Sequence, residues 1–317
     1  MTRPPIQETG LKVKRRGPYA TVARRLAKNK AALISLIFIV TVCIIAFLAP
    51  IIAPYSYEHM DYDNKLAEVG APDHPLGTDP LGRDILSRVI YGGRVSLSVA
   101  IVSTLIALFL GTTYGAVSGY AGGRLDNVMM RFVDVVYSFP DLLLIILINT
   151  AISREWLDNV LAGAGLSFVE SWLNADNLAL LLALSLVSWV YVARLIRGEV
   201  LRLREETYVE AAKALGVGHR GIVARHILPN TWGPLIVTLT FRIPVVILAE
   251  STLSFIGLGI QPPKSSWGTM AADGWVYMQF HPPMILFPSL AIFLTMLAFN
   301  FLGDGLRDAL APERRGQ

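Results

Sequence analysis

The chain has 317 residues, 53% of them hydrophobic and 16% charged, with a formal net charge of +4. A soluble domain carries about 25% charged residues, and the apolar residues here gather into runs near the ~20 residues that cross a bilayer as a helix, which excludes a large soluble helical protein. The basic residues flank those runs, so the positive-inside rule explains them better than nucleic acid does, and the single cysteine, Cys43, permits no internal disulfide.

Residues 1–30 hold a dense basic cluster from Arg3 to Lys30, which places the N-terminus in the cytoplasm, with residues 19–29 suited to lie along an anionic leaflet. The apolar stretch that follows is too long for a signal-peptide core, and residues 31–54 are read as the first transmembrane helix. Residues 55–93 form an acidic outer loop. Within it Asp79 is expected to cap, and Pro80 to open, a short interfacial helix with the apolar face Leu81, Ile85, Leu86 and Val89, ending at Gly92. Residues 94–306 supply five further spans, over 95–117, 132–152, 178–192 and onward to Arg197, 232–258, and 284–302. The third is expected to kink at Pro140 and the fifth to bend at Pro244. A glycine-rich turn covers 119–123, and the outer loop 153–177 reads as a re-entrant or interfacial turn. Residues 307–317 form a basic cytoplasmic tail. The fold class is an all-α polytopic membrane protein with six transmembrane helices, both termini inside, and no internal repeat.

One polar insert, residues 205–230, separates the fourth and fifth spans and carries ETYVEAAKALGVGHRGIVARHILPN. Thr207 followed by Glu210 reads as a capping box. Tyr208 to Leu215 then forms a short helix of good helix formers, in which Ala211 and Ala212 make a small paired patch for close approach by another protein. Gly216 stops that helix by taking a left-handed conformation. Gly218 loosens the turn, and His219 to Leu228 forms a second short helix that Pro229 ends. Arginines and lysines on either side place the insert in the cytoplasm.

No G-x-x-x-x-G-K-[ST] loop is present, so the chain does not hydrolyse nucleotide by itself. The five histidines are scattered. His219 and His226 share a helix face but read as structural, and no H-E-x-x-H, C-x-x-C or G-x-S-x-G arrangement occurs. There is no candidate catalytic residue and no metal site. Charged groups at span depth are the remaining functional candidates. Arg131 and Asp134, three apart, are read as a packing salt bridge or a gate. Arg242 either faces a water-filled path and meets a peptide carboxylate, or pairs with Glu250 about two turns later. Glu250 precedes Gly257 and Gly259, and forms part of an outer gate or anchors the loop.

The insert resembles the coupling loop of binding-protein-dependent ABC importer permeases, E-A-A-x3-G-x9-I-x-L-P. Glu210, Ala211, Ala212, Gly216, Leu228 and Pro229 match at the right spacing, while the isoleucine position is His226, with Ile227 beside it. Residues 76–97, 122–144 and 250–270 resemble further stretches of the C-type permease subunit of dipeptide/oligopeptide importers. The resemblance implies a type I ABC importer permease that forms half of a path for di- or oligopeptides. It implies a heterodimer with a homologous second permease, two ABC ATPase subunits that bind the ATP and magnesium, and an extracytoplasmic solute-binding protein, all in a bacterial or archaeal plasma membrane. In that family the loop docks into the ATPase, and the coupling residues carried over are Thr207, Tyr208, Glu210, Ala211, Ala212, Leu215, Gly216, Leu228 and Pro229. The same architecture moving nickel, an oligosaccharide or another small solute is an alternative, as are a non-transport scaffold and an ion-driven transporter.

Overall fold

A computed structural model of the chain describes residues 18–163 and 175–310. Helix α1 (Pro18–Lys28) is cut from α2 (Lys30–Phe47) by Asn29, whose side chain accepts the Ala32 N–H at 3.2 Å, the usual role of Asn at a helix start. A short α3 (Ala49–Ile52) leads into a loop. Then come α4 (Ile85–Ala121), α5 (Gly123–Tyr137), α6 (Asp141–Ala151), α7 (Arg154–Gly163), α8 (Ala175–Leu203), α9 (Thr207–Ala214), α10 (His219–Ile222), α11 (Leu228–Phe255), α12 (Trp267–Val276) and α13 (Pro283–Leu310). Five stretches are long and apolar enough to cross a membrane, Lys30–Phe47, Ile85–Ala121, Asn177–Leu203, His219–Phe255 and Pro283–Leu310. The bent pair Gly123–Tyr137 and Asp141–Ala151 makes a sixth if it counts as one span.

The centre of the bundle is the contact of α4 with α8. Gly111, Gly115 and Gly119 recur every fourth residue along α4. A Cβ at Gly111 would lie 2.5 Å from the Val192 Cβ, one at Gly115 2.4 Å from the Ala193 carbonyl oxygen, and one at Gly119 2.9 Å from the Arg197 carbonyl oxygen. In lipid there is no hydrophobic drive between helices, so such small residues supply association by letting backbones approach closely. Around that seam Leu97, Leu184, Ile247, Leu253 and Trp267 form the main buried cluster, while Ile34, Phe109, Leu147 and Phe293 lie exposed on the outer surface of the bundle.

Two expectations are corrected. The interfacial helix after Asp79 does not exist as a separate element. The Asp79 carboxylate instead accepts the backbone N–H groups of Leu81 and Arg83 at 2.8 and 2.9 Å, and binds the guanidinium groups of Arg83 and Arg88 at 2.6 and 2.7 Å. These bonds hold residues 79–83 in a turn. The helix waits for Asp84, whose carboxylate accepts the Ser87 N–H at 2.7 Å, and α4 then runs without a break through Gly92 and Gly93. Those glycines leave room for the segment entering α12: a Cβ on Gly93 would meet the Trp267 ring at 2.8 Å.

The third span is not merely kinked at Pro140. Its halves α5 and α6 meet at 91°. Proline removes a donor and drives the preceding residue out of helical geometry, and the Ser138 hydroxyl donates to the Val135 carbonyl at 2.7 Å at the end of α5. Pro244, by contrast, is buried inside an unbroken α11. In the loop expected over 153–177, α7 is helical, and residues 164–174 lie outside the described residues, as do the first part of the basic N-terminal cluster and Arg314 and Arg315 of the tail.

The termini of α1 and α13 and the joints 121–123 and 203–219 share one end of the bundle. Arg25 donates to the Ala309 carbonyl at 3.5 Å, and Arg204 to the Gly119 carbonyl at 3.1 Å. The loop before α4 and the α11–α12 turn share the other end, where Arg88 reaches Asp273 at 3.3 Å.

Candidate functional site

The joint between α8 and α11 is built differently from its sequence reading. Glu206 is the residue before α9, and no side chain caps the helix. The expected capping box therefore does not form. Thr207 is already inside the first turn, and the N–H groups of Val209 and Glu210 bond the Glu206 backbone carbonyl at 2.9 and 3.2 Å. Helix α9 buries Val209 against Val200, Leu203, Ile222 and Ile227, and Ala212 is buried on the same helix. Its outward side carries Thr207, Glu210, Ala211 and Leu215, the last 85% exposed. Ala211 and Ala212 therefore do not form one patch: adjacent helix positions point about 100° apart, and only Ala211 is open to a partner.

Gly216 does end α9 as expected. Its φ is +80°, its N–H bonds Lys213 O at 2.9 Å, and the Val217 N–H reaches back to Ala212 O at 3.1 Å, the paired bonds of a Schellman termination. A Cβ there would meet nothing within 4 Å, so glycine is needed for its conformation and not for space.

The second short helix is the largest correction. After α10, residues Val223–Ile227 form a π turn in which the Leu228 N–H bonds Val223 O, and the chain continues directly into α11. Pro229 ends nothing; it sits in the first positions of α11, where a missing N–H is tolerated. The Asn230 amide donates to the His226 carbonyl at 2.7 Å and to the Tyr208 hydroxyl at 3.3 Å, which fastens α9 to this joint. His219–Phe255 is thus one run of 37 residues, with the half-buried Leu228 inside it. A hollow of about 390 Å³ beside it is lined by Tyr120, Arg204, Glu205, Glu210, Lys213 and His219, and the Tyr120 hydroxyl and His219 Nδ1 are 2.8 Å apart.

The intramembrane charges also pair differently. Asp134 bonds Arg194 of α8 at 2.6 Å, and that guanidinium lies 3.9 Å from the Tyr137 ring centre. Arg131 is exposed and has no ion pair among the described residues, so the expected Arg131–Asp134 bridge is absent. A pair that sequence reading missed lies deeper: Asp126 accepts two N–H groups of Arg197, both at 2.6 Å, and a further bond from the Ser118 hydroxyl.

Arg242 does not meet Glu250. Eight residues along a helix separate the two by about 12 Å, and each has its own neighbours. Arg242 donates to the Ser188 hydroxyl at 3.2 Å and lies over the Tyr191 ring at 4.3 Å. Glu250 is 0% exposed and accepts from the hydroxyls of Ser96 at 3.0 Å and Ser254 at 2.8 Å. Ser96 also accepts the Trp267 N–H at 3.2 Å, and the Trp267 ring N–H donates to Val89 O at 2.9 Å. Gly257, with φ +83°, closes α11 as Gly216 closes α9, and a Cβ on Gly259 would fall 2.0 Å from the Ser254 hydroxyl. Glu250 and these glycines form an anchor for the α11–α12 turn on α4. Among the described residues no group of three or more His, Cys, Asp or Glu converges as a metal site requires.

With this geometry in hand, residues 111–316 match the family described as binding-protein-dependent transport system inner membrane component, and residues 17–68 match the N-terminal TM domain of oligopeptide transport permease C. The chain is 41% identical over 293 residues to the dipeptide transport system permease protein DppC of Bacillus subtilis (strain 168), covering 92% of this chain and 85% of that protein. It is 40% identical over 309 residues to the oligopeptide transport system permease protein OppC of Escherichia coli (strain K12), covering 96% and 94%. It is 39% identical over 299 residues to the glutathione transport system permease protein GsiD of Pectobacterium atrosepticum, covering 94% and 92%.

Proposed function

The chain belongs to the family of binding-protein-dependent transport system inner membrane components, and from that footing we propose that it forms half of the path by which an ABC importer brings di- and oligopeptides into the cell. It is a multi-pass transport permease and not an enzyme. Relatives named for dipeptides, oligopeptides and glutathione support a peptide cargo. In this reading the other half of the path is a homologous permease. Two ATPases that bind ATP and magnesium lie under the end that carries α1, and an extracytoplasmic binding protein delivers cargo at the opposite end. Both termini of the chain face the cytoplasm of a bacterial or archaeal cell.

The observation that carries the coupling is the continuity of α10, the π turn and α11. An ATPase that grips the outward side of α9, at Thr207, Glu210, Ala211 and Leu215, holds a lever joined to the span bearing Arg242 and Glu250. Tyr208, Leu228 and Pro229 brace that joint, and Ala212 and Gly216 fix its angle. Closure of the ATPases then rocks the span as a rigid body. The test is ATP-dependent peptide uptake by the whole transporter in proteoliposomes. Glu210→Lys and Gly216→Val are expected to insert normally and to leave ATP hydrolysis running without uptake. Normal uptake by both variants overturns the lever.

A further inference from the structure

Where α6, α8 and α11 meet, a cavity of about 220 Å³ is lined by Asp141, Ser188 and Arg242 on walls that include Leu184, Val187 and Val246. Its rim includes Leu142, Val245 and Leu248, which are 37%, 47% and 50% exposed, so the cavity opens on the side of the chain.

Arg242 and Asp141 both line this cavity, yet they form no ion pair with each other. A guanidinium at bilayer depth is costly unless it is paired or faces a polar cavity. Three arginines on the crossings have carboxylates: Arg88 has Asp79, Arg194 has Asp134 and Arg197 has Asp126, while Arg131, which has none, is exposed. Arg242 has no ion pair among the described residues; it holds only the Ser188 hydroxyl and the face of the Tyr191 ring. Its Nε is buried with no hydrogen-bond partner. The carboxylate on the same cavity wall, Asp141, is engaged by the Tyr191 hydroxyl at 2.6 Å. Tyr191 thus stands between the two charges and holds them apart. The unpartnered Nε leaves the guanidinium able to bind a planar anion, and guanidinium matches a carboxylate through two parallel N–H bonds.

We propose that this cavity is a transit site for the free terminal carboxylate of the cargo, with Arg242 as its donor and Ser188 and Tyr191 as positioning residues. The proposal rests on the peptide-import reading above and adds a group that the cargo must carry. Asp141, which lines the same cavity, adds a negative charge beside the site and so disfavours a dianion such as phosphate more than a single carboxylate. The volume falls below the roughly 300–1,000 Å³ of pockets that enclose whole ligands, so the site takes one end of a peptide. Occupancy must be brief for transport to proceed, and a single guanidinium anchor suits that requirement.

The experiment uses the complete transporter, with its ATPases and binding protein, in proteoliposomes. The probes are a labelled dialanine with a free carboxyl and the same dipeptide amidated at its C-terminus. The acid-to-amide uptake ratio is compared between wild type and Arg242→Gln on one binding protein, whose own preference cancels. The ratio is expected to fall about tenfold in R242Q, the factor that one charge-assisted hydrogen bond sustains. R242K, which keeps the charge and loses the planar fork, is expected to fall in between, and it serves as the reading if R242Q fails to assemble. An unchanged ratio overturns the proposal, as does an equal loss on both probes, which marks Arg242 as structural. A wild type that hydrolyses ATP yet imports neither probe overturns the peptide reading and this site with it.

Discussion

Asp126 shows how a carboxylate on a largely apolar crossing is made tolerable. It is 5% exposed and receives two N–H bonds from Arg197 and one from the Ser118 hydroxyl. Replacing it by Asn keeps the shape and removes the charge that those donors require. Asp126→Asn is expected to lower stability by about 2 kcal/mol, the worth of a charge-assisted hydrogen bond, read as a lower unfolding temperature of the purified transporter in detergent. An unchanged unfolding temperature refutes this role for the pair. The residues lie 71 positions apart, so no local spacing joins them. Sequence reading saw the three-residue spacing of Arg131 and Asp134 and paired those instead, because helical spacing shows which residues are able to meet within one helix and says nothing of an arginine arriving from another. For Glu250 the sequence left an outer gate and a loop anchor both open, because neither its full burial nor the hydroxyls of Ser96 and Ser254 around it is visible in local spacing.

At the scale of elements, the helices themselves were readable from apolar runs, and the Gly216 stop from its place after a short run of helix formers. The angle at the Pro140 break was not readable, since proline interrupts a helix without fixing the direction in which the chain resumes. The π turn was hidden too. Pro229 was taken as a terminator, yet proline is equally at home at the start of a helix, and local chemistry does not distinguish the two. Two substitutions separate these glycine and proline roles. Gly115→Val places side-chain atoms against the Ala193 carbonyl, where even a Cβ would sit at 2.4 Å. It is expected to cost at least the 1–3 kcal/mol typical of overpacking, seen as poor assembly. Pro229→Ala is expected not to lower stability, because alanine suits a helix that runs through that position at least as well as proline does. Strong destabilisation by P229A, measured as the same unfolding temperature, contradicts the continuous helix.

Across the whole molecule, five long apolar helices and the bent pair α5–α6 bring α1, the start of α5, α9 and the end of α13 to one end, and the loop 55–84 with the α11–α12 turn to the other. The long helices were legible in the composition, because each carries its own apolar signal. The outer loop was misread because Asp79 is a good helix cap in isolation, and only the arriving guanidinium groups of Arg83 and Arg88 turn it to another use. For the proposed coupling surface, the motif names the residues and the burial of Ala212 restricts the exposed ones to one side of α9. That side is the central claim. With Cys43 replaced by serine, single cysteines at Ala211, Leu215 and Ala212 are labelled with a thiol-directed photo-cross-linker in the intact transporter and irradiated. Adducts with the ATPase subunit are expected from positions 211 and 215 and not from the buried 212. A complex that retains its ATPases but yields no ATPase adduct at 211 or 215 contradicts the lever.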